Sequence, residues 1–138
     1  MKGNVVVWTN TQSHLTGTTT NTGPTIDLFA SGAMAGGVND GTQEFGIGVQ
    51  IIQTWVSGTA QVTTWEWETS PDNSTWFKGG FIRNSALIAA GNEKTKTTLR
   101  TRHRYARLLA SNAGTGASTS VAYSEDMGGL STIAPSYA

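Results

Sequence analysis

The sequence predicts an all-β chain folded as a sandwich or jelly roll, and three observations lead there. Phe45, Ile47, Val49, Ile51, Gln53 and Trp55 alternate with Gly46, Gly48, Gln50, Ile52 and Thr54. A period of two over this length marks a strand with one buried face. Other short strands recur at roughly 8–12-residue spacing with turn signals between them, the pattern of sandwiches and jelly rolls. No segment carries a 3.6-residue apolar stripe of helical length.

The elements follow in order. The chain opens on a short apolar run, Val5-Val6-Val7-Trp8. Residues 9–24 are then almost wholly Thr, Asn, Gly, Ser and Gln, ending at Gly23-Pro24. Residues 9–24 have no apolar periodicity to bury, so residues 1–24 are expected as an extended N-terminal arm, laid over a surface or ordered by a partner. An apolar run set apart by such an arm invites pairing with a neighbouring subunit. Residues 25–29 read as a short strand and 30–44 as a loop, turned at Asn39-Asp40-Gly41 because Asn and Gly tolerate positive φ. On the strand at 45–55 the odd residues face the core. Gly46 and Gly48 on the other face imply a close neighbour or a bend.

Ser57-Gly58-Thr59 turns the chain into a strand at 62–68. There Trp65 and Trp67 share one face, and Thr64, Glu66 and Glu68 share the wetter one. The Ser70-Pro71-Asp72-Asn73 turn returns it at Trp76-Phe77. Gly79-Gly80 is expected to break this strand, with short pieces resuming at 81–82 and 86–89. Residues 94–101 and 105–110 are strands, 112–118 a flexible loop and 119–123 the last core strand. The domain therefore spans 25–124, and 125–138 is expected as a loose C-terminal tail.

A length of 138 residues suits one domain with its own core. There are no cysteines, so thiol nucleophiles, thiolate metal sites and disulfides are excluded. Nine basic and nine acidic residues give zero net charge, which permits dense self-association. It also argues against nucleic-acid binding, which relies on net positive charge. No apolar run approaches the roughly 20 residues that cross a bilayer. Residues 5–8 are fewer than the roughly 7–15 of a signal-peptide core, so the chain is expected to be made and used without secretion. Asn73-Ser74-Thr75 matches a glycosylation sequon but reads better as turn chemistry.

Little in the sequence points to catalysis, a metal or a cofactor. His14 and His103 have no partner at ligand spacing. Glu66 and Glu68 lie side by side on one strand, whereas glycosidase carboxylates flank the scissile bond. No Gly-x-Ser-x-Gly, Walker-type or dinucleotide-binding motif occurs. The charge distribution is more informative. Six of the nine basic residues fall within 94–107, and Lys94, Lys96, Arg100, Arg102 and Arg104 share parity, with Thr98 filling the gap. On one continuous strand they form a basic ladder. It serves either to guard an edge strand or to contact an acidic partner surface. A phosphate backbone is the weaker alternative, because no aromatic residue shares the face. The candidate partner-contact residues are thus Val5, Val6, Val7, Trp8, Lys94, Lys96, Arg100, Arg102 and Arg104.

Three segments carry a family resemblance. Thr69-Ser70-Pro71-Asp72-Asn73-Ser74-Thr75-Trp76 resembles a hairpin of the small cement, or decoration, proteins of tailed-bacteriophage capsids. Arg104-Tyr105-Ala106-Arg107-Leu108 with the loop at 113–118 is similar to a strand and loop of that family, as is Thr25-Ile26-Asp27-Leu28. The resemblance spans roughly 25–124, outside the arm, the loop at 30–44 and the tail. It implies a jelly-roll-like domain, made in the host cytoplasm, that sits outside the capsid shell. There it would form dimers or trimers and bridge neighbouring major capsid proteins, with no enzyme activity and no cofactor, nucleic-acid or membrane partner. Two other functions fit the composition. One is a carbohydrate-binding β-sandwich, whose tryptophans, of which this chain has five, stack on sugar rings. The other is a tail or fibre module of a virion.

Overall fold

Period-two sequence becomes two facing antiparallel sheets. The computed structural model describes residues 5–13, 19–28, 44–58, 61–87, 91–114 and 116–130. Among these the strands are β1 (Val5–Ser13), β2 (Thr19–Thr22), β3 (Ile26–Asp27), β4 (Glu44–Ser57), β5 (Gln61–Ser70), β6 (Phe77–Leu87), β7 (Asn92–Thr101), β8 (Tyr105–Gly114) and β9 (Ala117–Leu130). One sheet, here sheet A, runs β1-β9-β4-β7. The other, sheet B, runs β2-β8-β5-β6, with β3 in line with β2 along the same edge of β8.

Leaving the two-residue β3 aside, the main strands nest: first with last (β1·β9), then β2·β8, β4·β7 and β5·β6. Every connection between main strands except β5–β6 crosses from one sheet to the other. This nesting is the jelly roll, an architecture shared by viral capsid domains, lectins and cupins.

The inward faces build the core by alternation. β4 buries Phe45, Ile47, Val49 and Ile51; β5 buries Trp65 and Trp67; β8 buries Ala106, Leu108 and Ala110. Beside β4 in sheet A, the described β9 side chains that turn inward are Ser118, Ser120, Ala122 and Ser124. Small residues there leave volume for the Trp8 and Trp65 rings, which meet edge to face at 5.9 Å. Toward the β4–β5 end the interior becomes polar. Buried Gln53 donates to Thr63 Oγ1 (2.7 Å) and Ser118 Oγ (3.2 Å) and accepts from Trp65 Nε1 (3.2 Å), while Thr63 donates to Asn112 Oδ1 (2.9 Å). Pairing these groups with one another offsets the cost of removing them from water.

Both ends of the chain and the expected loop at 112–118 differ from expectation, β8 running to Gly114 and β9 beginning at Ala117. Residues 5–13 and 19–22, expected within an arm, are strands of the two sheets. β1 pairs residue for residue with β9, from Val5↔Glu125 to Ser13↔Ala117. One edge of the apolar run thus pairs with the chain's own β9. β9 likewise extends through the start of the expected tail, its far end pairing with the start of β4 (Glu44↔Leu130). Thr, Ser and Asn give no hydrophobic signal, yet their backbones pair as well as any, and Thr favours the extended state. β6 is continuous across Gly79-Gly80, because two register shifts against β5 absorb the irregularity that was expected to break it. His14, the Asn39-Asp40-Gly41 turn and the chain beyond Leu130 lie outside the described residues.

Candidate partner-binding surface

The outer face of sheet A is where exposed apolar and basic side chains come together. The strand registers set them in rows. Val5, Glu125, Gly48 and Thr98 form one row; Val7, Tyr123, Gln50 and Lys96 the next; Thr9, Val121, Ile52 and Lys94 the third. Val5 and Val7 are each 53% exposed, and Tyr123 and Ile52 are 38% and 37% exposed. Gly48, with no side chain, floors a shallow depression of about 480 Å³ between Val5, Tyr123, Glu125 and Lys96. At the Gly46–Ile47 step the register against β9 shifts, with one extra residue on β9.

β7 is the sheet edge, and Lys94, Lys96 and Arg100 project from its exposed face. None of the three has an ion-pair partner among the described residues. The ladder of five is not continuous, because β7 ends at Thr101 and the chain bends through 102–104. Arg102 lies in that bend. Arg104 turns to its own chain and donates from Nε and a terminal nitrogen to the two Asp27 carboxylate oxygens, both at 2.9 Å. Those hydrogen bonds raise the pKa of its guanidinium further. Val6 and Trp8 pack against the core, so of the apolar run only Val5 and Val7 are available to a partner.

Sheet B presents a different outer face, its charges largely neutralised within the chain. Arg107 donates to Glu68 at 2.9 Å and lies 3.9 Å over the Trp76 ring. Lys78 sits 3.6 Å from Glu66. Phe77 and Phe81 are exposed on its edge strand β6, and Phe77 lies 5.7 Å from His103. His103 Nδ1 is 2.9 Å from Thr69 Oγ1. Among the described residues no three His, Asp or Glu side chains are grouped to hold a metal ion. Trp65 and Trp67 are buried, so they do not form the stacking platform that a sugar-binding role asks of them.

The three resembling segments, far apart in sequence, meet at one end of the sandwich. β3 pairs with the start of β8 (Ile26↔Ala106, Asp27↔Tyr105), and Ser70 pairs with Tyr105. Leu28 donates its N–H to the Arg104 carbonyl at 2.9 Å, and Arg107 covers Trp76 beyond the turn. The turn itself is organised by Asp72. Its Oδ1 accepts from the N–H groups of Thr75 (2.7 Å) and Ser74 (2.9 Å) and from Ser70 Oγ (3.0 Å). Asn73 takes the positive φ of 60° that Asn tolerates.

No family model and no curated protein matches the chain. Among solved structures it is similar to a chain in the structure of infectious bursal disease virus, Gx strain. The TM-score is 0.43 and the identity 13%, over 91% of this chain and 32% of the viral one. The chain thus spans about a third of that viral chain. The jelly-roll assignment rests on strand order, independently of this likeness.

Proposed function

We propose that this chain is a structural component of a virion, a cement that binds the outer surface of a phage head. It bridges neighbouring major capsid proteins and catalyses nothing. The observation that carries this reading is the outer face of sheet A, where the exposed apolar side chains of Val5, Val7, Tyr123 and Ile52 are bordered by Lys94, Lys96 and Arg100 of β7, which have no ion-pair partner among the described residues. Such a face suits a protein surface with an apolar centre and an acidic margin. The meeting of the three resembling segments in one tied cluster supports the cement reading over a tail or fibre module. Contacts of modest strength suffice, because many copies on a closed shell act together. No nucleic acid, membrane or cofactor takes part.

The test uses expanded empty shells of the encoding virus, assembled without this chain. Adding the purified protein and pelleting the shells should give saturable co-sedimentation and greater heat resistance. Replacing Lys94, Lys96 and Arg100 together by Glu should weaken binding roughly tenfold or more. Failure to co-sediment at any salt concentration overturns the proposal.

A further inference from the structure

The four sheet edges are not alike. β7 carries Lys94, Lys96 and Arg100. β6 is interrupted by two register shifts and carries Lys78 and Arg83. β2 is four residues long. Charge, bulges and shortness are the usual devices that keep an edge from recruiting another strand. β1 has none of them. It is nine residues long, VVVWTNTQS, with no charge, proline or glycine, and its register with β9 is unbroken. Among the described residues no strand pairs along its other edge.

We infer that β1 is a dimerisation edge and that its occupant is β1 of a second copy of this chain, paired antiparallel. A two-fold axis perpendicular to sheet A joins the copies into one continuous sheet, β7-β4-β9-β1 followed by the same order reversed. An isologous interface presents each copy with its own sequence, and an uncharged strand meets itself without like-charge repulsion. Neighbouring side chains in an antiparallel pair point the same way. Outer residues such as Val5 and Val7 therefore sit beside outer residues of the partner, adding side-chain contact to the main-chain hydrogen bonds. This inference stands on the edge alone and does not depend on binding to a shell.

Sedimentation equilibrium of the intact protein, across a wide concentration range, should show a reversible monomer–dimer system. The Val5→Lys/Val7→Lys variant places charge on solvent-facing positions of the edge. It should lose the dimer while keeping the native circular dichroism and a cooperative melt. Hydrogen exchange supplies a readout that needs no variant: alternate amides within 5–13 should gain protection as concentration rises into the dimer range. A monomer at all concentrations, a trimer, or a dimer whose 5–13 amides exchange as in the monomer overturns the inference.

Discussion

Gly79 carries no side chain because the Trp67 ring lies where one would be. A Cβ built there meets ring atoms of Trp67 at 2.6–2.8 Å, well inside normal contact. Trp67 is itself buried, so it has little room to yield. Gly79→Ala should cost about 1–3 kcal/mol, as overpacking does, and denaturant unfolding would measure it. Asp72 makes a second prediction at this scale. The backbone N–H groups of Thr75 and Ser74, then the Ser70 hydroxyl, lower its pKa from 3.8 to about 2. A folded-state pKa below the unfolded one means a stabilising contribution that is fully present above about pH 4 and lost as pH falls through about 2. The stability gap between the native chain and Asp72→Asn should therefore be widest above pH 4 and narrow toward pH 2. Carboxyl chemical shifts followed by NMR would check the midpoint directly.

At the scale of elements, β1 and β2 contradict the idea of a dispensable arm. β1 is a strand of sheet A and β2 of sheet B, and both carry long-range pairings. Deleting residues 1–24 also removes the Trp8 ring from its edge-to-face contact with Trp65. The truncated chain should lose cooperative thermal unfolding by circular dichroism, whereas an arm could be cut without effect. The contrast with β4 explains what was legible. β4 alternates Phe, Ile and Val with smaller or polar groups, so its burial is written in its residues. β1 beyond Trp8, and β2, hold only Thr, Asn, Gln and Ser. Their place is fixed by main-chain pairing to β9 and β8, which leaves no trace in hydropathy. The basic ladder failed for a related reason. Parity was correct through Arg100, but the strand ends at Thr101, and Arg104 is committed to an Asp27 that lies 77 positions away.

At the scale of the molecule, the fold class could be read from periodicity and turn spacing, while strand order could not, because nesting first strand with last leaves no local signature. The burial of Trp65 and Trp67 was also legible, since Glu66 and Glu68 mark the opposite face as wet. The candidate surface was half legible. Its basic margin follows from parity on β7, but the apolar rows are assembled from β1, β9 and β4 and exist only once register is set. The two outer faces then divide the work. Sheet B pairs Lys78 and Arg107 within the chain, whereas Lys94, Lys96 and Arg100 of sheet A have no ion-pair partner among the described residues.

The β1·β9 pairing has a mechanical consequence. Val5 and Glu125 lie side by side at one end of an antiparallel pair. Tension applied between those two points would peel the strands apart one rung at a time, the weak direction of such a ladder. A load entering through the broad outer surface of sheet A would instead spread over all of its rungs together. Under load the molecule would hold best when gripped by its flank and worst when tugged by its ends.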